Sequence, residues 1–205
     1  MSEILEIFTI GHSNHPLEKF LDLIEQARID VIVDVRSSPF SKMVPHFNRD
    51  ALERELRTRS IKYVFVGEEL GGRSKGSADY ENGQVVYSRL AAKPEFKATL
   101  DQIVESAQNS QVSLMCSEKE PLDCHRTILL SQSLQKFGIR VRHLLADGSS
   151  ESHGETLQRL LEIHHLDSPT LFDDDETRII EALTKQEKKI AYREDQEPAG
   201  WTDAR

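Results

Sequence analysis

Several residue types and segments are scarce in this sequence. Two cysteines among 205 residues are too few for a disulfide-built scaffold. No apolar run approaches the roughly 18–20 residues that a membrane-spanning helix needs. The acidic N-terminus lacks the basic and apolar regions of a secretory signal, and the low glycine and proline counts argue against a fibrous or wholly disordered chain. We therefore expect a cytoplasmic, globular protein that makes no contact with membranes.

Positive charge is also in short supply. The chain carries 26 Lys and Arg against 35 Asp and Glu, a formal net charge of -9. This deficit lies mostly in the last part of the chain, so we predict an α/β core domain over residues 1–150 and an acidic helical extension over 151–205. A general nucleic-acid binder would need a basic surface, and the best basic cluster is typical of a solvated helix face. That cluster comprises Arg54, Arg57, Arg59 and Lys62.

The first 145 residues alternate short apolar runs with helical patterns. Five apolar runs predict strands, and they lie at 7–10, 31–33, 63–66, 112–116 and 141–145. Amphipathic segments between them, such as the one with Leu17, Phe20, Leu21 and Ile24, predict helices with one buried face. This alternation predicts a three-layer α/β fold, with a mainly parallel sheet and helices on both faces.

In parallel α/β sheets, ligands bind beyond the carboxyl ends of the strands. Four predicted strands end in polar, reactive or glycine residues, which makes that edge the candidate site. The candidates there are His12, Ser13, Asp34, Arg36, Ser37, Glu69, Gly71, Gly72, Arg73 and Cys116.

Each polar type at this edge has a chemical and a structural interpretation. Arg36 can bind an anion such as phosphate or carboxylate. Asp34 can act as a general base or simply pair with Arg36. His12 can exchange protons near neutral pH or pack in a loop. Gly71 and Gly72 can offer backbone N–H groups to an anion, although a lone glycine pair is weak evidence.

The most specific motif is CSEKEPLDCHR at residues 116–126. We predict a helix from Leu122 to Phe137, with Cys124 in its first turn. The positive helix end, Arg126 and a protonated His125 would stabilise a Cys124 thiolate there, and a thiolate is nucleophilic. The alternative is a buried, inert cysteine. Cys116 could be a resolving thiol, a ligand or a core residue.

A metal site is a separate possibility. Cys116, Cys124 and His125 could act as soft ligands together with His12 or His143, but the spacing matches no standard zinc pattern and Cys-x2-Cys is absent. The sequence therefore assigns no metal and no cofactor. The other histidines are interpreted as surface residues, namely His15, His46, His153, His164 and His165.

Five ordered segments resemble the bacterial and archaeal "domain of unknown function 488" family. They are TIGHS at 9–13, VDVRSSP at 33–39, GEELGGR at 67–73, CSEKEPLDCHR at 116–126 and HLLADG at 143–148. The resemblance covers roughly residues 6–150, and Ile190-Ala191-Tyr192 also fits it. It implies that the candidate residues matter without naming a reaction.

A weaker similarity to rhodanese-like and cysteine-phosphatase domains rests on the Asp-Val-Arg segment ending at Arg36. Those domains carry an arginine five or six residues after the cysteine, and neither cysteine here has one. We therefore transfer neither sulfurtransferase nor phosphatase activity.

Three functions follow from these residues. The leading hypothesis is a cysteine-dependent transferase or hydrolase acting on a small anionic substrate, possibly nucleotide-like. The second is a ligand-binding or redox-regulatory module without turnover. The third, which the charge disfavours, is a nucleic-acid-associated protein. The sequence assigns no oligomeric state.

Overall fold

A computed structural model describes residues 5–168 and 174–194 of the chain. Its main sheet has six strands in the order β3-β2-β6-β1-β7-β8. The strands of this sheet are β1 (Glu6–Gly11), β2 (Val31–Asp34), β3 (Lys62–Phe65), β6 (Val112–Cys116), β7 (Arg140–Leu144) and β8 (Ser150–Ser152). A separate two-stranded sheet comprises β4 (Tyr80–Glu81) and β5 (Gln84–Val85).

The first five strands of the main sheet run parallel, and β8 pairs antiparallel with β7. The three central strands β2, β6 and β1 are mostly apolar and buried along almost their whole length, which is typical of a parallel sheet covered on two faces. Sequence analysis did not predict β8, because its three residues, Ser-Glu-Ser, carry no apolar pattern.

Helices cover both faces of the sheet, so the predicted three-layer α/β fold is confirmed. One face packs against α1 (Leu17–Gln26) and α2 (Arg49–Thr58) around a cluster that includes Phe20, Phe47 and Leu56. The other face carries most of the remaining helices around a larger cluster. These helices are α4 (Tyr87–Ala92), α5 (Pro94–Ala107), α6 (Gln132–Lys136), α7 (His153–Ile163) and α8 (Asp175–Ile190). A single turn, α3 (Gly67–Leu70), follows β3.

The predicted helix from Leu122 to Phe137 is wrong at its start. A 3-10 turn covers Pro121–Asp123, Cys124 is extended (φ -135, ψ 141), and a π-helix over Arg126–Ser131 then leads into α6. Cys124 therefore precedes the helix instead of lying in its first turn. The physical reason is that its Sγ accepts the Arg126 N–H at 3.4 Å, as the side chain of a cap does.

The C-terminal segments pack on the same core. Helix α7 begins with a capping box between Ser152 and Glu155, and Asp174 caps the start of α8, because its carboxylate accepts the Thr177 N–H at 2.8 Å. Residues 169–173 and 195–205 of the predicted acidic extension lie outside the described residues. Within the two described ranges, no helix combines the length and apolar character that crossing a membrane requires.

Candidate active site

A cavity of about 430 Å³ opens at the carboxyl ends of β2 and β6. These strands are neighbours and run parallel, so the loops that follow them meet at one edge of the sheet. The cavity is lined by Arg36, Ser37, Ser38, Phe40, Ser41, Gly72, Arg73, Tyr87, Cys116, Ser117, Glu118, Asp123, His125, Ile190 and Tyr192. Segments distant in the sequence therefore converge on one space.

The two cysteines meet beside this cavity with His125 and Glu118. Both thiols donate to the same carboxylate oxygen, Oε2 of Glu118, at 2.9 Å from Cys116 and 3.0 Å from Cys124. His125 Nδ1 lies 3.6 Å from the Cys116 sulfur and 3.8 Å from the Cys124 sulfur. We call these four residues the thiol cluster. It spans the end of β6 and the turn that precedes the π-helix.

Burial and the neighbouring groups together shift the pKa values of the two thiols in opposite directions. Burial, together with the adjacent Cys124 sulfur, raises the pKa of Cys116. Burial also opposes ionisation of Cys124, but the hydrogen bond from Cys116 and the charges of Arg126 and His125 lower the pKa of Cys124. These shifts favour ionisation of Cys124 over ionisation of Cys116.

Arg126 holds the loop that carries Glu118. Its side chain is fully buried and donates to the carbonyl oxygens of Glu118 at 2.6 Å and Lys119 at 3.2 Å. Gly11 permits the same loop to pass, because a Cβ there would lie 1.8 Å from the Glu118 carbonyl oxygen. Both residues therefore position the thiol cluster without lining the cavity.

Arg36 is held by a buried network. Its Nε donates to Asp34 Oδ1 at 2.9 Å, its Nη2 donates to the Phe47 carbonyl at 2.8 Å, and its Nη1 lies 3.0 Å from His12 Nε2. Asp34 also accepts the Tyr63 hydroxyl at 2.6 Å and is fully buried. This geometry favours the ion-pair interpretation of Asp34 over the general-base interpretation.

His12 serves the same network. Its Nδ1–H donates to the Ser13 carbonyl at 2.8 Å, which leaves Nε2 as the acceptor for Arg36. Burial, and then the charge of Arg36, lower the pKa of His12 to about 4, so the ring is neutral at neutral pH. Neither His12 nor Asp34 lines the cavity.

The remaining candidates divide between the cavity and its supports. Ser37, Gly72 and Arg73 line the cavity, and the Ser37 Oγ accepts the Arg73 N–H at 3.0 Å. The Arg73 guanidinium lies 4.5 Å from the centre of the Tyr192 ring.

Three other candidates, Ser13, Glu69 and Gly71, do not line the cavity. The Gly71 N–H is bonded to the Gly67 carbonyl at 3.2 Å, so that amide is not offered to an anion.

Sequence analysis missed several cavity residues. Glu118 lies within the quoted cysteine motif, and its place two residues after Cys116 was the available signal. Tyr87 carried no such signal, whereas Tyr192 belongs to the Ile190-Ala191-Tyr192 segment that fits the family; the two side chains reach the cavity from α4 and from the segment after α8. Only their packing brings them there.

Two histidines interpreted as surface residues are buried. His15 is 8% exposed and His153 is 1% exposed. His153 Nδ1 lies 3.0 Å from His143 Nε2, and His143 Nδ1 lies 2.7 Å from Thr9 Oγ1. The surface interpretation was wrong for both, and for His153 the reason is that its hydrogen-bond partners come from other elements of the fold.

Comparison with known families adds one result. A family model described as "Domain of unknown function DUF488" matches residues 16–132, more than half of the chain. The chain belongs to this family. The suspected membership is thereby confirmed, and the DUF488 match spans Asp34, Arg36 and the whole cysteine motif. No curated protein and no solved structure matches the chain.

Proposed function

We propose that this DUF488 protein is a cytoplasmic, cysteine-dependent enzyme acting on a small anionic substrate. The observation that carries the proposal is that Cys116, Arg36 and Arg73 line one cavity of about 430 Å³. A volume of this size suits a small molecule. Reduced cysteines are typical of the cytoplasm, and both cysteines here are free.

The reacting sulfur in this proposal is that of Cys116. Sequence analysis gave that role to Cys124, but Cys124 is 1% exposed and does not line the cavity. Cys116 ends β6 at the cavity wall. Cys124 lies behind it and contacts the same Glu118 oxygen, so it serves as the partner that takes up or returns a proton.

Arginine side chains supply the anion-binding end of the cavity. Arg36 is already oriented by Asp34 and His12, so binding an anion costs it little conformational entropy. Arg73 stands at the exposed rim, and the Ser37 and Ser38 side chains lie close by. Two carboxylates also line the cavity, but Asp123 pairs with Lys189 at 3.4 Å and Glu118 faces the thiols.

The chemical step is a displacement at sulfur. Cys124 takes up the proton of the Cys116 thiol as the Cys116 sulfur forms a bond to the electrophilic centre of the substrate, the bond to the leaving group breaks, and the leaving group departs with the electron pair. Water or a second acceptor then displaces the bound group from sulfur, Cys124 returns its proton to Cys116, and one proton is released when the acceptor is water. This sequence describes a hydrolase or a transferase.

Two alkylating reagents that differ in charge test the proposal. Reduced, chelator-treated protein is treated with iodoacetate, which is anionic, or with iodoacetamide, which is neutral, and each cysteine is followed by peptide mass spectrometry. Charged clefts raise the local concentration of an opposite charge, so we expect Cys116 to favour iodoacetate roughly tenfold relative to a free thiol. Inorganic phosphate should protect it.

The Arg73→Gln variant should lose most of this preference, whereas Arg57→Gln on the exposed face of α2 should keep it. Equal rates with the two reagents, or alkylation of Cys124 before Cys116, would contradict the proposal. Formation of a Cys116–Cys124 disulfide that alters phosphate affinity, with no charge preference in alkylation, would favour the redox-regulatory module instead.

A further inference from the structure

We infer that Cys116, Cys124 and His125 form a site for a soft, four-coordinate divalent cation of the Zn²⁺ type, with the Glu118 carboxylate at the fourth position. Metal binding is argued from the geometry of the thiol cluster, while its catalytic meaning rests on the proposed function. The sequence spacing gave no standard zinc pattern, so the arrangement emerges only in the folded chain.

The ligand atoms are already gathered at the distances a metal requires. The Cys116, Cys124 and His125 ligand atoms all lie within 4.8 Å of one another, and all three residues are buried. A tetrahedral ion with Zn–S of about 2.3 Å and Zn–N of about 2.05 Å separates sulfur from nitrogen by about 3.5 Å. The separations here are 3.6 and 3.8 Å, so small side-chain movements would complete the site.

The orientation of His125 supports ligation through Nδ1. Its Nε2 lies 3.2 Å from the Val35 carbonyl oxygen, which can only accept a hydrogen bond. Nε2 therefore carries a proton, and Nδ1, which faces the two sulfurs, is the nitrogen that would ligate a metal. A ligating histidine typically donates its other N–H to a carbonyl or carboxylate in this manner.

Glu118 supplies the fourth corner. Its Oε2 accepts hydrogen bonds from both thiols at 2.9 and 3.0 Å, which is shorter than the about 3.6 Å between oxygen and sulfur around a tetrahedral ion, so the carboxylate must move outward when the metal binds. Because Glu118 also lines the cavity, this is the ligand that a substrate can displace. The other histidines considered from the sequence are engaged elsewhere, His12 with Arg36 and His143 with Thr9 and His153.

The charges of the site also balance. Two thiolates, one carboxylate and a divalent ion carry a net charge of about -1, and a buried negative charge is costly without a partner. The guanidinium of Arg126 is fully buried, and its Nη1 donates to the Glu118 carbonyl beside the cluster. It therefore compensates the charge of the loaded site.

A bound ion would activate Cys116, the nucleophile of the proposed function. A coordinating thiol loses its proton, and metal coordination is one of the ways in which an enzyme activates a nucleophile. Cys116 would then face the cavity as a metal-bound thiolate.

The test is a titration of reduced, chelator-treated, full-length protein with Co²⁺ under anaerobic conditions. We expect one Co²⁺ per chain, a thiolate-to-cobalt charge-transfer band, visible bands of tetrahedral intensity, and displacement of the cobalt by Zn²⁺. Binding to the native state should also raise the thermal unfolding midpoint with Zn²⁺ concentration.

Matched variants locate the ligands. Cys116→Ser, Cys124→Ser and His125→Asn should each weaken Co²⁺ binding about 100-fold or more, and Glu118→Gln should weaken it about 10-fold, using the range for disturbed metal sites as a guide. His165→Asn is the control, because His165 is exposed and its positive φ of 57 suits asparagine. Circular dichroism checks that each variant folds, and Glu118→Gln keeps the test informative if a cysteine variant does not.

Absence of the charge-transfer band in the folded wild-type protein would overturn the inference, as would an unchanged band in Cys124→Ser or His125→Asn. The alkylation experiment uses metal-free protein, so its outcome is independent. If the protein binds cobalt but Cys116 shows no preference for iodoacetate, the metal site stands and the proposed anion-directed nucleophile is rejected. If Cys116 prefers iodoacetate but the protein binds no cobalt, the proposed function stands and the metal site is rejected.

Discussion

The guanidinium of Arg36 and the carboxylate of Asp34 form a forked ion pair in which Nε contacts Oδ1 at 2.9 Å and Nη2 contacts Oδ2 at 2.5 Å. Asp34 is 0% exposed and Arg36 is 3% exposed. Burial disfavours the charged guanidinium, but the hydrogen bonds and charge of Asp34 outweigh it and raise the pKa of Arg36. This pair fixes the orientation of the Arg36 guanidinium at the cavity wall.

Removing one partner of this pair should destabilise the fold strongly. Asp34→Asn leaves the arginine charge buried without compensation, so we expect the free energy of unfolding to fall by about 3–5 kcal/mol. Tyr63→Phe removes only one hydroxyl bonded to the same carboxylate and should cost about 1 kcal/mol. Urea denaturation measures both. A smaller loss in Asp34→Asn than in Tyr63→Phe would mean that Arg36 finds another partner or water.

Gly72 keeps His125 in its place. A Cβ at Gly72 would lie 3.0 Å from His125 Cγ, and the Val35 carbonyl on the far side limits movement of the ring. We expect Gly72→Ala to lower the free energy of unfolding by about 1–3 kcal/mol, as over-packing does. It should also slow alkylation of Cys116 by iodoacetate.

Gly154 in α7 is the control for this substitution, because a Cβ there would meet only Ser152 Oγ at 3.9 Å. Gly154→Ala should leave stability unchanged or raise it by up to about 1 kcal/mol. Equal behaviour of the two variants would show that the contact between Gly72 and His125 is not constraining.

The buried His143–His153 pair should make the protein sensitive to acid. Burial lowers the pKa of His153 to about 4, and burial, together with His153 and the nearby Arg126 and Arg159, lowers the pKa of His143 well below its usual value. Since the unfolded chain binds these protons more tightly, stability is fully present above about pH 6.5 and is lost as the pH falls towards 4.

We expect each of these histidines to contribute a slope of about 1.4 kcal/mol per pH unit below pH 6. His153→Gln can keep the hydrogen bond to His143 while removing one titrating group, so unfolding measured from pH 7 to 4.5 should show a shallower decline. His12, whose pKa is also about 4, still contributes to the loss of stability at acid pH in the variant. Identical slopes in wild type and variant would mean that His153 titrates normally.

Gln186 ties α8 to the cysteine segment. Its Nε2 donates to the Leu122 carbonyl at 2.8 Å, its Oε1 lies 3.0 Å from His164 Nε2, and its side chain is 1% exposed. Gln186→Leu leaves that carbonyl unsatisfied, so we expect a loss of about 1–3 kcal/mol in unfolding free energy.

Gln158→Leu on the exposed face of α7 should change stability by less than about 0.5 kcal/mol. Because α8 leads to Ile190 and Tyr192 at the cavity wall, Gln186→Leu should also reduce the preference of Cys116 for iodoacetate. A stability change without any change in that preference would place α8 in a purely structural role.

The layered α/β fold could be predicted from the sequence because it depends on local patterns. Apolar runs at strand length and amphipathic segments at helix length specify their own structure, and parallel strands bring their carboxyl ends to one edge. That rule was enough to bring Arg36, Ser37, Gly72 and Cys116 to one cavity. The sequence patterns did not predict where the helix after Cys124 begins, because a side-chain cap and a π-helix decide that boundary.

Other features were decided only by tertiary contacts. Which sulfur faces the cavity, which nitrogen of His125 carries the proton, and whether His153 is buried all depend on partners far along the chain. The Val35 carbonyl lies 90 residues from His125 in sequence, and Thr9 lies 134 residues from His143. A local pattern carries no information about such partners, because burial and hydrogen-bond geometry arise only when separate elements pack together.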